Sequence, residues 1–268
     1  MGRDIGKKSD ILYMNKGDGT FEDVTQRAGC SNAFGRSRVV NWVDYNSDGY
    51  LDIFIKKHKT SNVLYRNNKD GTFTDVARTA GIADAPGSVS SWCDYNNDSY
   101  TDLITAAPCI LWENRSGGSF KDVTISACLG EIPLCTGMAF GDYNNDGYND
   151  LFISAGFSLV EHSSGEWHEA ADRCMLFKNN KDGTFSDVSD QAGISSGKIN
   201  SQGAAWGDLD NDGYLDLYCV NSGSVFEDEP NLLYKNNGDG KFKNMINELR
   251  ADPDVEGRGG GRSLFSRL

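Results

Sequence analysis

Four nine-residue stretches of the chain place carboxylate or amide side chains at alternate positions and end on an aspartate. They read DYNSDGYLD, DYNNDSYTD, DYNNDGYND and DLDNDGYLD, and they begin at Asp44, Asp94, Asp142 and Asp208. Calcium takes about six to eight oxygen ligands, and a loop supplies them by folding its odd-numbered side chains around one point. A glycine at position six, present in three of the stretches, permits the sharp turn that this requires. These stretches, called the acidic loops below, therefore predict bound calcium.

The predicted ligands of each acidic loop are the side chains at positions one, three, five and nine and the backbone carbonyl of the tyrosine at position seven. The full set is Asp44, Asn46, Asp48, Tyr50 and Asp52; Asp94, Asn96, Asp98, Tyr100 and Asp102; Asp142, Asn144, Asp146, Tyr148 and Asp150; and Asp208, Asp210, Asp212, Tyr214 and Asp216. The predicted cofactor is Ca²⁺ at about four sites, since magnesium resists dehydration and rarely uses an all-protein cage. We expect a structural role, in which each ion holds one turn between two strands.

The four loops differ in ways that predict different affinities. Ser99 stands where the other loops have glycine, and it costs on the order of 1 kcal/mol if that position needs a positive φ. We therefore expect the second site to be the weakest and the fourth, which has the extra carboxylate of Asp210, to be the tightest. An EF-hand is excluded because it requires a glutamate at position twelve. That position holds Ile55, Thr105, Ile153 and Cys219.

A second recurring phrase predicts the fold. LYRNNKDGTFTDVARTAGI begins at Leu64, similar phrases begin at Leu111, Leu176 and Leu233, and another copy at Leu12 precedes the first acidic loop. Successive acidic loops start 50, 48 and 66 residues apart, so the period is about 50 residues with one insertion. Four short antiparallel strands per period are typical of a propeller blade. We expect an all-β fold, a β-propeller of four-stranded antiparallel blades.

The repeats also predict the domain organisation, a single β-propeller domain or propeller fragment over residues 1–268. Complete blades are expected at about 37–77, 87–124, 136–189 and 202–246, and partial blades at 10–30 and 255–268. The strands predicted for the first complete blade are Arg38–Asp44, Leu51–Lys56, Asn62–Asn67 and Thr72–Val76. The two partial blades could together complete a five-bladed ring, but a chain that begins and ends within a blade favours a fragment of a larger ring.

One large aromatic residue stands two positions before each acidic loop. These residues are Trp42, Trp92, Phe140 and Trp206. An aromatic side chain at a fixed place in every repeat is typical of packing between neighbouring sheets. We therefore expect all four to be core residues.

The recurring phrases resemble the FG-GAP/VCBS repeats of integrin-α-like propellers. The wording DVTQRAGC, GDLDNDGYLD and LYRNNKDGTF is most similar to the cartilage acidic protein and ASPIC/UnbV group, and the resemblance covers about residues 10–246. It implies a calcium-binding β-propeller that is extracellular or at the cell surface and acts in adhesion or protein recognition. The C-terminal segment of the ASPIC/UnbV group is absent from this sequence.

Composition excludes several other functions. The net charge of −13, from 26 basic and 39 acidic residues, disfavours a nucleic-acid partner. No apolar run approaches the roughly 20 residues of a membrane span. The opening MGRDIGKKSD lacks the apolar core of a signal peptide, so we expect the natural N-terminus to lie elsewhere.

Catalysis is not expected, because the sequence has three histidines and contains no nucleophile–base phrase, phosphate loop or catalytic zinc spacing. A lectin-like, carbohydrate-binding propeller remains the alternative to a protein-recognition module. A propeller lyase or other enzyme is less consistent with the sequence.

Two long insertions are the expected recognition surface. Strand alternation puts the acidic loops and the Asp-Gly hairpins on one face, and it puts the insertions Gly156–Cys174 and Asn221–Asn231 on the opposite face. Binding residues are common on long loops carried by a rigid scaffold, so we expect a protein or glycan ligand there. The candidate contacts are Trp167, His162, His168, Glu166 and Phe226.

The seven cysteines do not identify a redox compartment, since an odd number leaves at least one unpaired within the chain. Cys128 and Cys135 flank one short link and form the single pair that the spacing suggests. Cys30 takes the place held by Ile82 and Ile194 in other repeats, so we expect it to be buried.

Overall fold

The computed structural model describes residues 10–31, 35–130, 132, 135–161, 167–171, 173–194, 201–221 and 230–245. Within these ranges the chain forms short strands and one short helix, α1 (Ser189–Ala192). The strands are β1 (Tyr13–Asn15), β2 (Phe21–Asp23), β3 (Arg36–Val43), β4 (Asp52–His58), β5 (Val63–Asn67), β6 (Phe73–Asp75), β7 (Val89–Cys93), β8 (Asp102–Ala106), β9 (Ile110–Arg115), β10 (Ser119–Asp122), β11 (Cys135–Gly141), β12 (Asp150–Ala155), β13 (Phe157–Glu161), β14 (Trp167–Ala171), β15 (Met175–Asn179), β16 (Phe185–Asp187), β17 (Ser201–Gly207), β18 (Asp216–Asn221), β19 (Leu232–Asn236) and β20 (Phe242–Asn244). No helix in the described ranges has the length and hydrophobicity needed to cross a membrane.

Most strands belong to four antiparallel sheets of four strands each. Sheet 1 has the order β3-β4-β5-β6, sheet 2 β7-β8-β9-β10, sheet 3 β11-β12-β15-β16 and sheet 4 β17-β18-β19-β20. The expected all-β class with four-stranded antiparallel units is confirmed. The strands predicted for the first blade agree with β3 to β6 to within two residues at each end. The predicted partial blade at 255–268 lies outside the described residues.

Two short hairpins accompany the four sheets. β1 pairs with β2 ahead of sheet 1, within the first predicted partial blade. β13 pairs with β14 between the second and third strands of sheet 3. The insertion Gly156–Cys174, which the sequence analysis treated as a long loop, is therefore partly an antiparallel hairpin.

The hydrophobic core lies between consecutive sheets. A cluster of buried side chains joins each sheet to the next, and the three clusters contain Phe54 and Leu103, Leu111 and Ile153, and Phe152 and Leu217, respectively. The central strands β4 and β8 are buried along almost their whole length. This explains why their central segments, IFI in β4 and LI in β8, are apolar on both faces.

The aromatic residue before each acidic loop packs between sheets wherever a preceding sheet is present. The ring of Trp92 lies 5.2 Å from that of Phe54 in sheet 1, and the ring of Trp206 lies 6.3 Å from that of Phe152 in sheet 3. Phe140 packs, half-buried, against the cluster between sheets 2 and 3. The core prediction is wrong for Trp42, which is 53% exposed. In the described residues only the β1–β2 hairpin precedes sheet 1, and it supplies no counterpart of Phe54.

The phrase DVxxxA, which is followed by glycine in every copy except DVTISAC, forms a turn that joins each outer strand to the next sheet. The backbone N–H of Phe73 donates to the carbonyl of Ala28 at 2.8 Å, Phe120 to Ala80 at 2.9 Å and Phe185 to Ala127 at 2.9 Å. The residue after each of these alanines has a positive φ, which closes the turn: 76° at Gly29, 84° at Gly81 and 61° at Cys128. The β1–β2 hairpin is thus bonded to sheet 1 in the same way that sheet 1 is bonded to sheet 2.

Candidate metal centres

Each acidic loop connects the first two strands of its sheet and is folded around its first aspartate. Asp44 accepts backbone N–H groups from Asp48 at 3.1 Å and from Gly49 at 2.8 Å. The same two contacts recur at Asp94, Asp142 and Asp208. These hydrogen bonds give the backbone of all four loops the same turn.

The ninth aspartate of each loop is buried at the start of the second strand. One carboxylate oxygen of Asp52 accepts the backbone N–H of Asn67 at 2.7 Å, and the other accepts that of Tyr45 at 3.3 Å. Burial raises the pKa of Asp52 to about 6 and the pKa values of Asp102 and Asp150 to about 7. A buried carboxylate whose charge the protein offsets only in part is a favourable ligand for a cation.

The fourth acidic loop brings three of its predicted ligands together. Carboxylate oxygens of Asp208, Asp210 and Asp216 all lie within 4.8 Å of one another. The carboxylate of Asp212 turns back and accepts the backbone N–H of Tyr214 at 2.9 Å. Oxygens gathered at this separation fit a hard divalent cation.

The other three loops have asparagine at position three, with its amide close to a loop carboxylate. The Nδ2 atoms of Asn46 and Asn96 donate to the fifth-position aspartates at 3.1 Å, and that of Asn144 donates to Asp150 at 3.1 Å. The Oδ1 atom of Asn144 is buried without a hydrogen-bond partner. An orphaned acceptor among these carboxylates fits a cation ligand, since a buried oxygen without a donor is costly.

Lysines approach the outer carboxylates of three loops. The Nζ atom of Lys69 lies 3.3 Å from Asp48, and that of Lys181 lies 3.4 Å from Asp146. Lys235 contacts Asp210 and lies 3.8 Å from Asp212. Lys69 and Lys181 come from the Asp-Gly hairpins, which confirms that these hairpins share an end of the sheets with the acidic loops. These ammonium groups offset part of the loop charge, and a bound cation would compete with them.

A third-strand asparagine, which the sequence analysis missed, links each of sheets 2, 3 and 4 to the acidic loop of the preceding sheet. The Nδ2 atoms of Asn114, Asn179 and Asn236 donate to the carbonyls of Tyr45, Tyr95 and Tyr143 at 2.7, 2.7 and 2.8 Å. The backbone N–H of each asparagine donates to the ninth aspartate of its own sheet at 2.8 Å. The signal was present in the sequence, because LYRN, LWEN, LFKN and LYKN all end on this residue.

Direct contacts also run from loop to loop. The Nδ2 atom of Asn97 donates to the carbonyl of Gly147 at 3.0 Å, and that of Asn145 donates to the carbonyl of Gly213 at 2.9 Å. The hydroxyl of Ser47 donates to the carbonyl of Ser99 in the same way. The side chain at position four of each of the first three loops thus donates a hydrogen bond to the carbonyl at position six of the next loop. The four loops therefore form a continuous row at one end of the sheets.

Replacing Ser99 with glycine is expected to stabilise the protein by about 1 kcal/mol. Ser99 has a φ of 74°, a conformation that strains any residue with a Cβ atom, and its side chain is exposed. Urea unfolding of both proteins measures the difference. The matched control is Gly147→Ser, since Gly147 has a φ of 86° in the same loop position and the change is expected to destabilise by a similar amount. An S99G protein no more stable than the parent would contradict the strain.

Three of the five residues predicted to contact a ligand lie outside the residues that the structure describes. Trp167 and His168 lie in β14, within the hairpin of sheet 3. His162, Glu166 and Phe226 lie outside the described residues. The proposed contact role of all five therefore stays a prediction.

The suggested Cys128–Cys135 bridge is wrong, because both thiols are free. Cys135 is buried at the start of β11 next to Cys109, and the Cys109 side chain together with burial raises the pKa of Cys135. Cys128 is exposed on a turn with a φ of 61°. Cys30 is buried in the cluster beneath sheet 1, as expected.

A family model supports the repeats predicted from the sequence. A family model described as FG-GAP-like repeat matches residues 5–55 and 169–219. Cartilage acidic protein 1 of Xenopus tropicalis is 34% identical over 71 residues, which are 25% of this chain and span only 11% of that protein. The crystal structure of the V. cholerae biofilm matrix protein Bap1 aligns with 78% of this chain and 38% of its own, at a TM-score of 0.34 and 16% identity. This chain therefore carries FG-GAP-like repeats.

Proposed function

We propose that the chain is a calcium-stabilised β-propeller module of extracellular recognition or adhesion. The row of four acidic loops carries the proposal, since each repeat has the same oxygen-rich turn at the same end of its sheet. FG-GAP-like repeats and the similarity to cartilage acidic protein 1 support an extracellular setting. The proposal assigns no catalytic role to the chain.

The propeller arrangement is supported by the way in which the sheets follow one another. β3 contacts β7, β7 contacts β11 and β11 contacts β17, so the first strands of the four sheets are neighbours. The apolar clusters lie between the faces of consecutive sheets. Radial sheets with adjacent first strands are typical of propeller blades.

Calcium would act on the loops by neutralising buried charge. The ligands assigned to each ion are the side chains at positions one, three, five and nine and the carbonyl at position seven. The aspartate at position nine begins the second strand, and its carboxylate also accepts the backbone N–H of the third-strand asparagine. An ion bound there would therefore hold the first hairpin, the third strand and, through that asparagine, the preceding sheet.

The recognition surface is assigned to the end of the sheets opposite the acidic loops. β12 and β18 begin at the ninth aspartates of their loops and lead into the two long insertions at their other ends. With the acidic end occupied by ions, the opposite end is available for a protein ligand. Binding residues on a rigid scaffold are commonly placed this way.

A calcium titration at two pH values tests the metal sites. Isothermal titration calorimetry at about pH 7.5 is expected to detect about four calcium sites. The affinity for calcium is expected to be lower at about pH 5.5. Burial raises the pKa of Asp102 and Asp150 to about 7. The protonated form of these carboxyls therefore stabilises the metal-free protein at low pH, and this contribution is lost as the pH rises through about 7.

Calcium binds the deprotonated carboxylates. The affinity of the protein for calcium is therefore expected to rise as the pH increases towards about 7, where Asp102 and Asp150 lose their protons, and to level off at higher pH. Ca²⁺ should bind far more tightly than Mg²⁺ under the same conditions. A titration that detects no calcium binding at about pH 7.5 would overturn the proposed metal sites.

A further inference from the structure

A cavity of about 430 Å³ lies at the end of sheet 1 away from its acidic loop. It is open to solvent and is lined by the turn between β4 and β5 and by the link from sheet 1 to sheet 2. β4 begins at Asp52 beside the acidic loop and ends at His58 beside this cavity, which fixes the cavity at the opposite end. Its lining residues include Lys56, Lys59 and Thr60.

Lys56 is the unusual member of the cavity wall, because its side chain is charged and only 1% exposed. Its ammonium donates a hydrogen bond to the carbonyl of Ala85. Within the described part of the chain no carboxylate lies within ion-pair distance of this ammonium. Burial lowers the pKa of Lys56 to about 8. A buried ammonium with a single neutral partner is costly, and an anion in the cavity would offset that cost.

The charge around the cavity is positive although the chain as a whole is strongly acidic. Strand pairing sets Arg36 opposite His58 and Val39 opposite Lys56, with Arg38 between them on β3. The pKa of His58 is lowered by burial and then by the nearby charges of Arg38, Lys59 and Arg36. Several basic residues at the end of one hairpin create a local attraction for anions, in a protein of net charge −13.

The nearby carboxylates already have other partners. Asp10 lies 2.6 Å from the ammonium of Lys57. Asp84 also lines the cavity, where it accepts the hydroxyl of Ser61 at 3.0 Å, and it lies 3.9 Å from Arg78 with a side chain that is 76% exposed. Neither of these carboxylates is within ion-pair distance of the Lys56 ammonium.

We propose that this cavity binds an oxyanion, a carboxylate or a sulfate group, with the Lys56 ammonium as its central partner. Lys59 and Thr60 line the same cavity, and their side chains carry further hydrogen-bond donors. The inference rests on the proposed function in one respect, since it gives a ligand chemistry to the recognition end of the module.

The test is a calorimetric titration at constant ionic strength and saturating calcium, with inorganic sulfate and a short oligoglutamate peptide as the probes. Saturable binding of either probe to the parent protein is expected, and binding to Lys56→Met is expected to be weaker by about tenfold or more. Sulfate binding alone would identify a free anion as the ligand, and peptide binding alone would identify a carboxylate carried by a protein. Lys69→Met, at the acidic-loop end, is the matched control and is expected to bind both probes as the parent does.

A thermal melt of the same variants separates this site from a purely structural role for Lys56. Without a probe, K56M is expected to melt at or above the temperature of the parent, because it removes an uncompensated buried charge and keeps the length of the side chain. A K56M protein that melts lower and binds the probes unchanged would overturn the proposal, as would the absence of binding by the parent. The calcium dependence of the parent melt tests the metal sites separately, so the two proposals can fail independently.

Discussion

Removal of calcium is expected to lower the melting temperature of this protein by about 20 °C or more. At a calcium concentration about a hundredfold above the dissociation constant, each site adds about 2.7 kcal/mol to the free energy of unfolding. Four such sites add roughly 11 kcal/mol, and a domain of this size gains about 2–4 °C per kcal/mol. The effect is large because the sites are repeated, even though each ion acts on one turn.

Differential scanning calorimetry in saturating calcium and in excess chelator measures the shift. The control adds magnesium to the chelated protein and is expected to recover little of the lost stability. A second control, Asp210→Asn, gives the fourth loop the ligand types of the first and is expected to reduce the shift without abolishing it. Equal melting temperatures in calcium and in chelator would show that the acidic loops are solvated turns.

The repeated phrases were sufficient to predict the local structure of each sheet. β3 to β6 match the strands expected from apolar alternation and turn residues, because these signals are local and recur in every period. The strain at Ser99 was also accessible, since the other loops have glycine at that position and Ser99 indeed has a positive φ. Features of this kind depend on a few neighbouring residues, so they can be predicted from the sequence alone.

The contacts between sheets were less predictable, because their partners are far apart in the chain. Asn179 and Tyr95 are separated by 84 residues, and nothing local to either residue indicates the bond between them. The exposure of Trp42 has the same origin, since burial at this position depends on a preceding sheet and not on the tryptophan itself. Cys109 and Cys135 likewise become neighbours only when sheets 2 and 3 pack together.

Replacing Asn179 with alanine is expected to destabilise the protein by about 3–5 kcal/mol. Asn179 is 1% exposed, and its Nδ2 atom donates to the carbonyls of Tyr95 at 2.7 Å and Asn149 at 3.0 Å. Its Oδ1 atom accepts the backbone N–H of Lys181 at 2.9 Å. Alanine leaves these three groups without a partner, and the carbonyl of Tyr95 is in a buried residue that water does not reach. Urea unfolding in saturating calcium measures the loss.

Asn67 provides the matched control for this change, because it occupies the same place in sheet 1 without a preceding loop. Its Nδ2 atom donates to the carbonyl of Leu51 at 3.1 Å, within its own sheet, and the residue is half-buried. Asn67→Ala is therefore expected to cost only about 1 kcal/mol. Equal losses in the two variants would mean that the asparagine acts within its own sheet. A much larger loss at Asn179 would assign the difference to the bond that joins neighbouring sheets, which is the property that makes consecutive repeats fold as one unit.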